Sequence, residues 1–330
     1  MVASTAYLLI SHGSRDPRPQ EAMNRLADLV RENLEAQSPA SAASTVKLDS
    51  PRTVLDNRSH SHSPSEGALK SQIGGQLDAP VSGELGSPSH QQTLKKVAAD
   101  LLKQTKEAQS KTLLLTKPRL AVATPNSSKV IVGTACLELT AIPLSEQVYA
   151  FGRRLRAAGV KELKLLPVFL MSGVHVMEDI PEEVAAAKEL LGNSIELTLC
   201  PHLGSHSKIV EVLSNRLTSV PAEGSLLVAH GSRRPKGNKA IMGLAKRLNT
   251  AVAYWATPPD IETQVIELMQ AGCQRLTILP YFLFAGGITD AITHRTEELA
   301  ERFPKVKFRL LPTLGATPEI ADLAVEILSP

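Results

Sequence analysis

"YLLISHGSRD", residues 7–16, sets a short apolar run directly before a histidine, a glycine and a serine; "SLLVAHGSRRP", residues 225–235, sets a similar run before the same three residues. An apolar run too short for a helix and bounded by turn residues reads as a buried strand. Two strands that end on the same turn point to a duplicated chain, and two further pairs of phrases follow in the same order. "LRAAGVKELKLLPVFLMSG" (155–173) matches "LMQAGCQRLTILPYFLFAG" (268–286), and "LCPHLGSHSKIVEVL" (199–213) matches "LLPTLGATPEIADLAVEIL" (310–328). The separation is 218 residues for His12 and His230, but 113 for Pro167 and Pro280 and 111 for Pro201 and Pro312. The first copy therefore carries roughly a hundred extra residues between its first two blocks.

That surplus turns to Ser, Pro, Gly and His, as in "DNRSHSHSPSEG" (56–67) and "VSGELGSPSHQQ" (81–92). Such a composition buries too little apolar surface to offset its ordering entropy, so disorder is expected. Over 92–109, Leu94, Val97, Leu101 and Leu102 are spaced for one face of a helix. His60, His62 and His90 of this stretch read as solvated residues, with loose metal binding as the alternative. The expected organisation is a first domain from 1–37 and 128–218, an insert over 38–127, and a second domain over 219–330.

Both copies predict the same element order. In the first, residues 6–10 form a strand and 19–34 a helix with Met23, Leu26, Val30 and Leu34 on one face. Strands follow at 130–137, 163–170 and 195–199. Between them lie helices at 145–158, ended by Gly159, and at 181–191, where Asp179 is placed for a cap. Strands apolar throughout and alternating with helices indicate a parallel sheet covered on both faces. The predicted fold class is α/β, with two tandem doubly wound domains, each on a four-stranded parallel sheet, and a disordered insert in the first.

In such sheets ligands sit beyond the carboxyl ends of the strands. His12 stands two residues past the first strand, Glu138 at the end of 130–137, and His175 in "FLMSGVHVMEDIP" (169–181) past the third strand. Three metal-competent side chains from three strand ends thus fall at one edge, although each alone also reads as a loop or turn residue. Glu178 and Asp179 read as first-turn acids favoured by the helix dipole. In the second copy His230 recurs, but His175 falls opposite Ile288 and Glu138 near Trp255. The second copy is expected to keep the fold and lack part of the chemistry, leaving His230 as a possible second-half site residue.

Bulk composition narrows the partners. The 36 Lys and Arg nearly balance the 33 Asp and Glu, and only 3% of residues are aromatic, which speaks against nucleic acid as partner. Three cysteines without a C-x-x-C spacing indicate neither a disulfide framework nor a thiolate zinc site. The apolar run Ala6–Ile10 has no basic residue before it, and no uncharged apolar stretch reaches the roughly 20 residues that span a bilayer. A cytoplasmic protein without membrane contact is expected.

The ordered set of strand-"HGSR", "CLEL" followed by a proline, "PVFLMSGVHVMEDIP" and "CPHLGSH" resembles the sirohydrochlorin chelatases, the class II tetrapyrrole chelatases that insert cobalt or ferrous iron into sirohydrochlorin. The resemblance implies two chelatase-like (flavodoxin-like) domains fused around one cleft, and a monomer with pseudo-twofold halves. It implies His12, Glu138 and His175 as the active site, binding Fe²⁺ or Co²⁺ as substrate, with no organic cofactor. Imidazole suits both ions and releases them more readily than a thiolate cage would. Ser14 and Arg15 are candidates for the substrate's carboxylates, as are Arg18, Ser232 and Arg233. Siroheme and cobalamin synthesis are the pathways implied. Two other readings are a non-catalytic tetrapyrrole or metal carrier and a histidine-phosphatase type of phosphoryl transfer. The latter lacks the arginine that it needs directly before the histidine.

Overall fold

A computed structural model describes residues 5–37, 130–234 and 236–329. The expected helix at 92–109 and the insert histidines lie outside the described residues. The first half contains β1 (Thr5–Ser11), α1 (Pro17–Gln37), β2 (Ile131–Cys136), α2 (Leu144–Ala157), β3 (Glu162–Pro167), α3 (Ile180–Leu191), β4 (Glu196–Leu199) and α4 (Ile209–Thr218). The second contains β5 (Gly224–Ala229), α5 (Lys239–Arg247), β6 (Ala251–Tyr254), α6 (Ile261–Gln270), β7 (Arg275–Pro280), α7 (Gly287–Arg302), β8 (Lys307–Leu310) and α8 (Pro318–Leu328).

The two sheets have one plan. Their strand orders are β2-β1-β3-β4 and β6-β5-β7-β8, and every neighbouring pair is parallel. Parallel neighbours need a crossover, and the helices that supply it cover both faces. Side-chain alternation then divides each central strand between two cores. Ala6, Leu8 and Ile10 of β1 face a core closed by α2 and α3, including Val148, Leu155 and Val184. Leu9 faces the other way, into a core that also holds Met23, Leu26 and Val30 of α1. In β5, Leu226 and Val228 face α6 and α7, whereas Leu227 and Ala229 join Leu9 in that second core. The central core takes its helices, α1, α4, α5 and α8, from both halves. The layers therefore run helix, sheet, shared helices, sheet, helix, and the two halves form one packed body.

The elements depart from expectation in their bounds. Helix α1 starts at Pro17, the first-turn position proline favours, and runs on to Gln37. Strand β3 ends at Pro167 rather than 170, because the Phe169 carbonyl accepts from Gly204 N–H at 2.8 Å instead of from the ladder. The expected cap at Asp179 is absent. Its side chain makes no cap bond, and the chain already turns as a π-helix over His175–Asp179 before α3 begins.

An ion-pair cluster ties the halves at their surface. The Arg18 guanidinium bonds Asp16 in its own loop and, at 2.6 Å, Asp290 at the start of α7. Both carboxyls are held below their ordinary range by hydrogen bonds from Arg18. Arg18, expected as a site for substrate carboxylates, is instead committed to two carboxylates of the protein.

The shared core yields a stability test. Leu9 and Leu227 are fully buried in it, one from each sheet. Alanine at either is expected to cost about 2–5 kcal/mol, the range for a leucine removed from a close-packed core. Chemical denaturation should show one transition for the unaltered protein and a single shifted transition for either variant. Two separated transitions would contradict one shared core.

Candidate functional site

The site forms where β1, β2 and the chain after β3 leave the first sheet at their carboxyl ends. The β1–β2 register carries Ser11 opposite Cys136. Two more backbone bonds continue it past the strands: Leu137 N–H donates to Ser11 O at 2.9 Å and Glu138 N–H to His12 O at 2.8 Å. Glu138 is thereby stationed beside His12. The turn between them depends on Gly13, which lies in the left-handed region at φ +98°, and a Cβ there would stand 2.0 Å from the Glu138 carbonyl oxygen. Glycine at 13 is thus required both for the conformation and for the approach.

His175 arrives from the loop after β3, on the first residue of the π-turn. The three predicted side chains meet, with ligand atoms of His12, Glu138 and His175 all within 4.8 Å of one another. His12 Nε2 is 3.7 Å from Glu138 Oε2, and Glu138 Oε1 is 3.8 Å from His175 Nδ1. The imidazoles stand edge to face, with centroids 4.8 Å apart, and Phe169 backs both rings at 6.4 Å. Donor atoms about 2.1 Å from a shared ion lie roughly 3 to 4 Å apart, so His12 Nε2 and Glu138 Oε2 are spaced to share one, with a ring nitrogen of His175 within 4.8 Å of the pair's ligand atoms. Two histidines and a carboxylate on one face leave the opposite positions of an ion open. The side chains of His12, Glu138 and His175 are 49%, 46% and 34% exposed, so an incoming ion and an incoming ligand both have access.

One contact beside the cluster escaped sequence reasoning. Asp179 Oδ2 lies 2.6 Å from His175 Nδ1. In metal sites a carboxylate paired in this way orients the liganding imidazole, holding the proton on Nδ1 and leaving the Nε2 lone pair free. The i,i+4 spacing of His175 and Asp179 was the available signal. His12 has a weaker orienting contact, Nδ1 to its neighbour's carbonyl, Gly13 O, at 3.3 Å.

The remaining predicted residues are nearby but not in the cluster. Ser14 Oγ accepts from Asp16 N–H at 3.0 Å, and Arg15 and Arg233 are exposed. His230 repeats the His12 turn, with Nδ1 2.9 Å from Gly231 O. The second-half ladder bonds are Trp255 N–H to Ala229 O and Ala256 N–H to His230 O. Glu138 therefore corresponds to Ala256, one residue beyond Trp255, and His230 has no carboxylate where His12 has one. Among the described residues the only grouping of three metal-competent side chains is His12, Glu138 and His175.

Two variants probe this geometry with Co²⁺ as the titrant. Asp179→Asn is expected to weaken Co²⁺ binding about 10- to 100-fold while leaving the circular dichroism unchanged, as loss of an orienting carboxylate does elsewhere. Gly13→Ala is expected to remove binding by separating His12 from Glu138. Gly173→Ala, with nothing within 4 Å of a new Cβ, should bind as the unaltered protein does.

Known proteins share this architecture and parts of this sequence. SirB from Bacillus subtilis with Fe³⁺ superposes with a TM-score of 0.59 at 15% identity, covering 98% of this chain and 94% of that one. A sirohydrochlorin cobaltochelatase of Priestia megaterium is 23% identical over 186 residues, which is 52% of this chain and 60% of the relative. A sirohydrochlorin ferrochelatase of Bacillus subtilis (strain 168) is 24% identical over 160 residues, 45% of this chain and 61% of the relative. The chain spans about three-fifths of the length of these curated relatives. The CbiX family model matches twice, over residues 119–220 and 224–329, once in each half. With well over half of its residues covered by the two matches, this chain belongs to the CbiX family.

Proposed function

We propose that the protein inserts Fe²⁺ or Co²⁺ into sirohydrochlorin, with His12, Glu138 and His175 as the residues that hold the ion and receive the protons. The observation that carries this reading is the half-exposed cluster of two imidazoles and one carboxylate at a sheet edge. A site built to retain an ion closes a full ligand set around it and buries it. A site built to hand an ion over needs few ligands, moderate basicity and an open face, which is what these three residues offer. Membership in the CbiX family, and relatives named as sirohydrochlorin cobaltochelatase and ferrochelatase, support the same substrates.

The surroundings suit a broad, partly apolar ring bearing carboxylates. Leu139 follows Glu138, Ile142 lies three residues further, and Met177 follows His175. All three are large apolar side chains left 48–64% exposed. They stand within four residues of Glu138 or His175 in the sequence, as apolar surface available to a macrocycle. Burying such side chains against a ligand contributes roughly 25 cal/mol per Å² of apolar surface removed from water.

The chemistry follows from the donor set. The ion sheds water as His12, His175 and Glu138 bind it, and its open positions face the macrocycle. Pyrrole nitrogens then replace the protein ligands one after another. Each of the two pyrrole N–H groups loses its proton as its nitrogen bonds the metal, and an imidazole or carboxylate just released from the ion is in place to accept it. The product is the metallated macrocycle, and two protons pass to the protein and then to water. The donor set does not by itself choose iron over cobalt, since copper and nickel outrank both in intrinsic affinity. The protein is read as a monomer, its two halves already packed on each other within one chain, and as a cytosolic enzyme of siroheme or cobalamin synthesis with no organic cofactor and no nucleic-acid or membrane partner.

An anaerobic assay with metal-free sirohydrochlorin and Fe²⁺ or Co²⁺, followed by the absorption spectrum, tests the reading. The unaltered protein should accelerate the spectral change. His12→Ala and His175→Ala should each reduce the rate by at least about 10²-fold, the usual contribution of a group that moves protons at a reacting centre, with folding unchanged by circular dichroism. Macrocycle binding with no acceleration would identify a carrier instead.

A further inference from the structure

The second half has lost the counterparts of Glu138 and His175, yet it reaches the first half's site. A cavity of about 310 Å³ is walled on one side by Ser172, Gly173, Met177 and Glu178, which flank His175 in the chain, and on the other by Ser232 and Arg234 of the second half. The loop bearing Ser232 and Arg234 is held in shape. Asn238 accepts from Ser232 N–H at 2.7 Å, Arg234 N–H donates to Ser232 Oγ at 3.2 Å, and a Cβ at Gly237 would strike that hydroxyl at 2.4 Å.

The pseudo-symmetric position shows what this contact becomes when closed. The 218-residue separation places Arg234 opposite Asp16, and Lys236 opposite Arg18; the 113-residue separation places Met177 opposite Asp290. On that side Arg18 clamps Asp16 to Asp290, and a Cβ at Gly286 would lie 3.9 Å from Asp16 Oδ2. Where the first-half loop has an acid neutralised by the protein, the second-half loop has an arginine facing an open cavity. Among the described residues the Arg234 side chain makes no ion pair, although Glu178 lines the same cavity. The duplicated contact is thus shut on one side by three charges and left open on the other, with Arg234 and Ser232 in the lining and the residues around His175 opposite them.

We infer that this cavity seats a peripheral carboxylate arm of the tetrapyrrole, held by the Arg234 guanidinium and the Ser232 hydroxyl, so that the degenerate half positions the substrate over the first half's ligands. The inference rests on the function proposed above. A guanidinium matches a carboxylate through paired N–H donors, and such charge-assisted bonds are the stronger class. The volume is at the small end of ligand pockets, which run about 300–1,000 Å³, so it takes an arm and not the ring. Glu178 repels an anion from its own side of the cavity and directs the carboxylate to the arginine. Arg234 is a positioning residue here and touches no reacting atom.

The test separates binding from chemistry. Metal-free sirohydrochlorin is titrated against the full chain and its variants, and KM and kcat for Co²⁺ insertion are measured on the same proteins. Arg234→Ala is expected to raise Kd and KM for the macrocycle about tenfold or more, as loss of a charged hydrogen bond does, while kcat at saturation changes less than about twofold. Arg234→Lys should recover part of the loss, because the charge remains but the paired donors do not. Glu178→Gln should tighten binding by removing the repulsion. Equal KM in Arg234→Ala and the unaltered protein, or weaker binding in Glu178→Gln, overturns the seat alone. If the unaltered protein neither binds nor metallates sirohydrochlorin, the function reading fails and the seat with it.

Discussion

Two backbone hydrogen bonds past the end of the β1–β2 ladder, Leu137 N–H to Ser11 O and Glu138 N–H to His12 O, underlie the rest of the site. They bring a residue from each strand side by side at the sheet edge, and Gly13 permits that approach because any Cβ there would strike the Glu138 carbonyl at 2.0 Å. A ladder bond of this kind is indifferent to the side chains it aligns. The second half shows as much: Trp255 and Ala256 make the same two bonds to Ala229 and His230. Gly231 there has the same left-handed conformation, at φ +84°. The scaffold of the site is therefore present twice and its chemistry once.

His175 is held by different means. It comes from a helix start rather than from a ladder, and the backbone there is wound as a π-turn, a form frequent at functional sites. Its ring is steered from its own turn by Asp179, four residues on, and backed by Phe169 from the preceding loop. Two members of the cluster are fixed by sheet geometry and the third by a local turn. An arrangement locked from every side would favour storage of the ion, whereas one partly exposed and steered by a single carboxylate favours transfer.

The fold was legible because parallel strands buried on both faces are written as continuous apolar runs, and because the duplication let each half check the other. The rule that ligands lie beyond the carboxyl ends of parallel strands places His12, Glu138 and His175 at one edge from the sequence alone. What escaped was decided by competition between partners. Asp179 sits where acids cap helices, but a nearby imidazole offers it a stronger bond than the helix N–H groups do. Arg18 follows an "HGSR" phrase like a substrate-binding residue, and its partner Asp290 is 272 positions away, beyond any local pattern. The register that pairs Glu138 with Ala256 rather than Trp255 needs the ladder bonds themselves, since the loops after the two strands differ in sequence. The expected insert falls outside the described residues.

The shared core explains why a half without a complete cluster persists. Leu9, Met23, Leu26 and Val30 of the first half share one buried layer with Leu227, Ile241 and the α8 residues Ile320 to Leu328. Removing the second half would expose that surface, and each fully buried side chain of this size is worth about 1.5–3 kcal/mol. Core packing therefore constrains the residues that face inward in both copies. It places no demand on strand-end loops, where the second copy has Ala256 in the place of Glu138 and Arg234 in the place of Asp16. A duplicated chain under that constraint keeps its sheets alike while its loops diverge. One loop can then lose a metal ligand and gain a charge aimed at its neighbour's site, without cost to the fold that holds both.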